Sequence, residues 1–351
     1  MDESLLPRRR STVAKQHGEI LNFESKTCGE EEFFSGQVAP HDRAGRVAPA
    51  WRRAVKAFAA LSRRLCGPFF VFVRFPAARR RPLAVIARIL RLNAARILKR
   101  SFVFTLLPPV RLHARFDFGS PILAYYLGLY EESSMTVLLR YLRRDEWFAD
   151  VGANIGIYTV LAAGVAGARV QAFEPFSMAH EALAANVELN CLGERVVLRR
   201  QGLGAYTSAA FITTTNKGAN RIAADGTGNA LEQIDVVTLD DALVGDVPAA
   251  IKIDVEGYEE QVLLGASRSL SSPACNMVIF EAIDRSSGHV GRCVAILTRF
   301  GFRPCTYDVA SNRLIECERN ELQVVGPNDE NYLFVKDVEK ARQRIGQGRA
   351  A

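Results

Sequence analysis

Two short segments of this chain place reactive residue types at spacings that suit a small-molecule site. The first is Asp150-Val-Gly152-Ala-Asn154-Ile-Gly156, set where an apolar run ends, with Glu174 following 22 residues after Gly152. Glycine lets a backbone turn tightly and approach a ligand with no Cβ in the way. Asparagine tolerates the left-handed conformation better than most residues, so Asn154 preserves such a turn. A carboxylate roughly 20 residues beyond the turn is placed to accept from both hydroxyls of a ribose. The second segment, Lys252-Ile-Asp254-Val-Glu256-Gly257-Tyr258-Glu259, also ends an apolar run and opens a helical one. Period-2 alternation puts Lys252, Asp254 and Glu256 on one side of the strand direction. Charges in a buried strand are costly unless paired, so a Lys252–carboxylate pair is expected. The competing reading is that Glu256 caps the next helix and Lys252 only neutralises it. Glu281, closing Asn276-Met-Val-Ile-Phe-Glu281, adds another carboxylate.

The elements that must hold these residues begin near Phe116, where short apolar runs alternate with helical stretches. That alternation marks βαβ units and an α/β fold with a doubly wound, mostly parallel sheet. Strands are expected over 146–151, 168–174, 195–201, 248–255 and 276–282, and helices over 154–164, 177–192, 258–267 and 289–300. Short strands with turns fill 205–238, and closing strands fall at 303–307, 313–316 and 332–335. In such a sheet the carboxyl ends of the strands line the ligand crevice, which sets Asp150, Glu174 and Asp254 on one rim.

The cofactor follows from what the turn lacks. A dinucleotide fingerprint is G-x-G-x-x-G with a helix N-terminus facing a pyrophosphate. Here the last offset glycine is missing, and Asp150 would repel a pyrophosphate but could hold the ammonium of a methionine moiety. The reading is S-adenosylmethionine (SAM) rather than NAD. Methyl transfer from SAM is an in-line displacement in which the protein supplies alignment and proton removal. A positioned base typically contributes about 10²–10⁴-fold. Asp254 is the first candidate, with Glu256 and Glu281 behind it, and a carboxylate in that role needs a raised pKa or a metal. His113, His180 and His289 are far apart, read as surface or packing residues, and no metal is expected.

The formal charge of +7 over 351 residues is unevenly spread. Residues 1–115 carry 23 Lys/Arg against 8 Asp/Glu, the remainder 22 against 30, and no acidic residue lies between Arg43 and Arg115. A basic front on an acidic body suits anionic lipid or nucleic acid; a compositional bias with no partner is the alternative. Residues 1–50 lack periodicity and read as disordered. Residues 51–115 read as a basic helical extension broken by Pro68, Pro76, Pro82 and Pro108-Pro109, 116–340 as the catalytic domain and 341–351 as a tail. Within the extension Ile86, Leu90, Ala94 and Ile97 fall on one helical stripe, with Arg88, Arg91 and Lys99 on the other side. Such a helix can lie on an anionic membrane surface or pack its stripe on the domain. Seven scattered cysteines without a C-x-x-C pair read as reduced thiols, so a cytoplasmic protein is expected, held by its basic arm at the inner face of the membrane. Arg8-Arg9-Arg10 has no apolar core behind it, so no signal peptide is expected. The run from Pro68 to Val73 is far shorter than the roughly 18–20 residues of a spanning helix.

Taken together, D-V-G-A-N-I-G, F-E-P at 173–175, L-D-D at 239–241 and I-K-I-D-V-E-G-Y-E at 251–259 resemble the FkbM family of SAM-dependent methyltransferases. Gly128-Leu-Tyr130-Glu131 and Asn331-Tyr-Leu-Phe-Val-Lys336 resemble it too, so the likeness spans roughly residues 120–337. The resemblance implies a class I Rossmann-like methyltransferase fold whose last strand is antiparallel. It implies SAM held by Asp150, Gly152, Asn154, Gly156 and Glu174, with Glu131 added from the upstream motif, and Asp254 and Glu256 facing the methyl beside Lys252 and Glu281. It further implies O-methylation of a hydroxyl on a saccharide, glycolipid or secondary metabolite. Two alternatives stay open: a nucleic-acid methyltransferase using the basic arm, and a non-catalytic membrane-surface binding protein. Where many amino-methylating enzymes carry Asn/Asp-Pro-Pro-aromatic, this chain has Asp254-Val-Glu-Gly, which does not signal amino-group chemistry.

Overall fold

Helix α1 (Pro82–Ile97) leads into a hairpin of β1 (Phe102–Leu107) and β2 (Val110–Ala114), followed by helices α2 (Ser120–Leu127) and α3 (Glu132–Tyr141). Strand β3 (Trp147–Val151) passes through α4 (Ile157–Leu161), a π turn over Ala162–Ala166, β4 (Arg169–Phe173) and α5 (Ser177–Leu189) to β5 (Val196–Arg199). A side sheet is built from β6 (Gly202–Leu203), β7 (Ser208–Thr213), β8 (Ile222–Ala223) and β9 (Leu231–Val237). Then come α6 (Leu239–Ala242), β10 (Ala250–Ile253), α7 (Glu259–Leu264), α8 (Ser267–Ser271), β11 (Met277–Glu281) and α9 (His289–Arg299). Strands β12 (Arg303–Asp308), β13 (Arg313–Glu316) and β14 (Asn331–Val335) and helix α10 (Val338–Gln347) follow. This computed structural model describes residues 82–98, 102–114, 120–214, 222–223, 231–281, 288–318, 322–326 and 329–348, all within the unit Ala59–Ala351. The expected disorder of 1–50 and the expected helical pieces of 51–81 lie outside the described residues.

The main sheet has the order β13-β12-β14-β11-β10-β3-β4-β5. Neighbours from β11 through β10, β3 and β4 to β5 are parallel, while β14 runs antiparallel to both β11 and β12. This is the class I methyltransferase arrangement, with β14 the reversed strand. Both faces are covered, so side chains alternate between two apolar cores. Phe148, Ala250, Met277 and Ile279 enter one core, shared with Leu138, Val160 and Leu183. Ala149, Val151, Ile251, Ile253, Val278 and Phe280 enter the other, shared with Val262, Leu263 and Leu297.

Register then decides where the charges emerge. Lys252 lies opposite Asp150 on β3 and Ile279 on β11. Two-residue alternation therefore brings Asp150, Lys252 and Glu281 out on the same face at the carboxyl end of the sheet. The chain leaves β3 toward β4 and later returns to β10 on the other side of β3, which makes this end the switch point where such sheets bind ligands.

Four segments differ from the sequence reading. Residues 102–114 form a hairpin turned at Pro108–Pro109, with Phe104, Val110 and Leu112 buried, rather than helix; the alternating aromatic and β-branched residues explain it. Helices α2 and α3 were not anticipated, because α3 is buried almost all round and has no polar face to reveal its period. The helix expected over 258–267 is two helices, α7 and α8, broken at Gly265, where a Cβ would lie 2.0 Å from the Gly204 carbonyl oxygen. The tail expected from 341 is helical through Gln347, with Ala341 and Ile345 buried.

Helix α1 also turns its other side to the domain. Val85, Ile89 and Leu92 are buried, whereas the predicted stripe of Ile86, Leu90, Ala94 and Ile97 is exposed. The sequence holds two apolar stripes at helical spacing. Arg88 selects between them by donating to the Tyr126 carbonyl on α2 at 3.1 Å, while Arg91 stacks 5.0 Å over the Phe102 ring.

Candidate active site

The turn after β3 is built from left-handed residues. Gly152, Asn154 and Gly156 have φ of 78°, 51° and 87°, so the conformation that suggested itself for Asn154 is the one adopted. Gly152 and Ala153 both donate their N–H to the Phe173 carbonyl, which ties the turn to the end of β4. Glu174, the next residue, clamps it from the other side: one carboxylate oxygen accepts from the Asn154 N–H at 2.8 Å, the other from the Phe176 N–H at 2.9 Å. Burial raises Glu174 to about 7 against the pull of those two N–H groups.

Asp150 is 2% exposed and accepts from the Thr159 hydroxyl at 2.5 Å. Burial lifts it to about 6, opposed by that hydroxyl and by Lys252. Lys252, 1% exposed, pairs with Asp254 at 3.5 Å and stands 5.4 Å over the Tyr158 ring. Its Nζ has no hydrogen-bond partner among the described residues. Burial works against this ammonium, but Asp254, Glu131, Glu281 and Asp150 outweigh burial and raise its pKa.

Strand β10 ends at Ile253, so Lys252 alone of the second motif's charged residues lies in a strand. Asp254 begins the following turn, its N–H bonded to the Val151 carbonyl, and Glu256 sits left-handed at φ 56°. The carboxyls of Asp254 and Glu281 meet in a hydrogen bond. Burial and then the Asp254 charge drive Glu281 far above the ordinary carboxylate range. Glu259 is not solvated either: it accepts from the Gly257 N–H at 2.9 Å and pairs with His289 Nε2 at 2.6 Å. His289, read from the sequence as a surface or packing residue, is therefore the buried support of the charged turn.

Of the predicted site residues, Glu131, Asp150, Gly152, Asn154, Glu174, Lys252, Asp254, Glu256 and Glu281 all line one cavity of about 510 Å³. Gly156 does not line it; a Cβ there would lie 2.4 Å from Leu183 Cδ1, so its place is in the helix packing. Glu131 has a second engagement, accepting from the Tyr158 hydroxyl at 2.5 Å and from Asn331 Nδ2 at 2.8 Å. Tyr130, Tyr158, Phe176 and Gln201 also line the cavity and were missed. Only Tyr130 carried a signal, as the neighbour of Glu131 in the upstream motif.

Residues 150–304 match the family described as Methyltransferase FkbM domain. A curated ribosomal protein L11 methyltransferase from Bacillus pumilus (strain SAFR-032) is 32% identical over 85 residues, 24% of this chain and 27% of that protein. The chain thus spans about a quarter of the length of the curated relative it matches. Among solved structures, a putative rRNA methylase from Clostridium thermocellum covers 58% of this chain and 92% of its own at 12% identity, with a TM-score of 0.37. TYW2 from M. jannaschii in complex with AdoMet covers 67% and 83% at 12% identity, with a TM-score of 0.34.

Strand order, cavity and family match agree: the segment that carries the cavity turns is similar to SAM-dependent methyltransferases of class I. More narrowly, residues 150–304 are similar to the FkbM methyltransferase domain.

The residues present fit SAM. The volume is that of an ordinary ligand pocket. Asn154 Oδ1 is buried with no hydrogen-bond partner among the described residues, and backbone approaches the turn at Gly152 where a side chain would stand. Asp150 and Glu174 are carboxyls held back from ionisation mainly by burial, the state that a cationic ligand reverses.

Proposed function

We propose that this methyltransferase moves the SAM methyl group to a hydroxyl oxygen of a saccharide, glycolipid or secondary metabolite. The observation that carries the reading is the Lys252–Asp254–Glu281 cluster in the cavity. Three charge-bearing groups meet there, with the Lys252 ammonium 3.5 Å from Asp254 and Glu281 driven toward its neutral form by burial and by the Asp254 charge. When bound, SAM supplies an electrophilic methyl on a sulfonium.

The chain's own residues do the rest. Asp150 and Glu174 take the cofactor side: Glu174 uses the remaining lone pairs of its two oxygens for ribose hydroxyls, and Asp150 faces the amino-acid end. Glu131 fixes Tyr158 and so the wall over Lys252. On the acceptor side Asp254, 33% exposed and therefore reachable, accepts the hydroxyl proton. Lys252 steadies the negative charge on Asp254, and Glu281 keeps the carboxyl aimed. Glu256, next along the turn, borders the acceptor.

The test is mass spectrometry of a cell extract incubated with the enzyme and methyl-labelled SAM. The expected result is label on the oxygen of a glycan, lipid or small metabolite. Label confined to RNA bases or to amine nitrogens would overturn the reading.

A further inference from the structure

Helix α3 does not cap itself. Glu131 occupies its N-cap position, where a side chain ordinarily accepts from an N–H of the first turn, yet the Glu131 carboxyl makes no such bond. Asp329, 195 positions after Ser134, makes it instead. One Asp329 oxygen accepts from the Ser134 N–H at 3.0 Å and the other from the Ser134 hydroxyl at 3.0 Å. Ser134 and Asp329 are both buried. The chain just before Asp329 lies flush on the start of the helix, since a Cβ on Gly326 would lie 2.0 Å from Ser133 Oγ. With α3 capped from outside, the Glu131 carboxyl is released to line the cavity.

Asn331, at the start of β14, ties this cap to that carboxyl. Its N–H donates to Asp329 at 3.1 Å, and its Nδ2 donates to Asp329 at 2.8 Å and to Glu131 at 2.8 Å. An amide nitrogen carries two hydrogens, so one side chain serves both carboxyls. The Tyr158 hydroxyl joins Asn331 on the same Glu131 oxygen, Oε2, and the Tyr158 ring lies under Lys252. Oε1 has no hydrogen-bond partner among the described residues. A cap that only stabilised the fold would need Asp329 and Ser134 alone. The Asn331 amide goes further and reaches a carboxyl of the cavity, which the cap does not require.

On the reading of the cavity as a SAM site, we propose that Asp329 and Asn331 are positioning residues for it. They cap α3 in place of Glu131 and hold its Oε2, which keeps that carboxyl in the cavity wall with Oε1 left for the cationic cofactor. Without Asp329 the Ser134 N–H loses its acceptor, and the Glu131 side chain is free to turn back and cap its own helix.

The test is SAM calorimetry on the full-length parent, Glu131→Gln, Asp329→Ala and the combined variant. Each single variant is expected to weaken SAM roughly tenfold or more, the scale of a lost hydrogen bond to a charged group. The combined variant should bind no more weakly than Glu131→Gln alone, because Asp329 acts through that carboxyl. Asp329→Asn keeps a capping oxygen and should restore binding close to that of the parent. Thermal melts show which variants are folded. Asn331→Leu leaves the Asp329–Ser134 cap in place and takes the same position in the cycle if Asp329→Ala does not fold. Losses that multiply in the combined variant, or parent-like affinity in folded Asp329→Ala, would overturn the proposal and leave the cofactor reading standing. A parent that binds no SAM would overturn both.

Discussion

A Cβ built on Gly152 would lie 1.8 Å from the backbone carbonyl oxygen of Asp254. The cofactor turn and the charged turn after β10 therefore touch through backbone alone, and Gly152 adopts a φ of 78° that disfavours side chains in any case. Gly152→Ala should push the two turns apart. SAM binding is expected to weaken by roughly 100-fold, the scale of about 3 kcal/mol for strain at a special backbone position. Calorimetry on the folded variant checks it; parent-like affinity would show that the turns are not coupled.

Glu174 has a double role, clamping the Asn154 and Phe176 N–H groups while facing the cavity. Glu174→Ala leaves both N–H groups without their acceptor, at about 1–3 kcal/mol each. It should lower the melting temperature and abolish SAM binding. Glu174→Gln keeps one acceptor oxygen, so it should recover much of the stability and little of the affinity. Differential scanning fluorimetry with and without SAM separates the two effects.

The buried carboxyls give a pH dependence with a definite sign. Glu174 and Asp150 have folded values of about 7 and about 6, above their ordinary 4.5 and 3.8. Raised carboxyl values favour the protonated folded state, so their contribution is full below about pH 4 and is lost as pH rises through 6 to 7. The ligand-free protein should therefore lose stability between pH 5 and pH 8. A cationic ligand favours the ionised carboxylates, so SAM affinity should rise over the same interval. Thermal melts at matched ionic strength would show the SAM-induced increase in Tm growing with pH; an increase that shrinks would contradict the assignment.

Behind the charged turn, His289 and Glu259 form a buried pair that holds the Gly257 N–H. His289→Leu would remove the 2.6 Å contact to the buried Glu259 carboxyl and leave that oxygen without its hydrogen-bond partner, a loss of about 1–3 kcal/mol. Turnover should fall with it, because Glu256 and Asp254 depend on that turn, while SAM affinity changes little. Replacing both residues by glutamine should restore stability better than turnover, read by denaturant unfolding and by kcat.

Much of this site was legible because it sits where strands end. Short apolar runs closed by Asp150, Glu174, Asp254 and Glu281 mark the carboxyl edge of a parallel sheet, and the glycines mark the turns. What stayed hidden depends on long-range pairing. The contacts of Glu131 with Tyr158 and Asn331 join residues 27 and 200 positions apart, and no local pattern records them. The buried face of α1 was misread for a related reason. Val85, Ile89 and Leu92 repeat as regularly as Ile86, Leu90 and Ile97, and only the hairpin and α2 decide between the two. His289 looked ordinary because its partner, Glu259, lies 30 residues earlier on another helix.

The division of the cavity into a cofactor side and an acceptor side is the centre of the account, and SAM calorimetry on three variants tests it most directly. Asp150→Ala and Glu174→Ala should show no measurable binding, while Asp254→Ala should bind SAM as the parent does and lose turnover. Normal binding by all three, or loss of binding by Asp254→Ala alone, would contradict it.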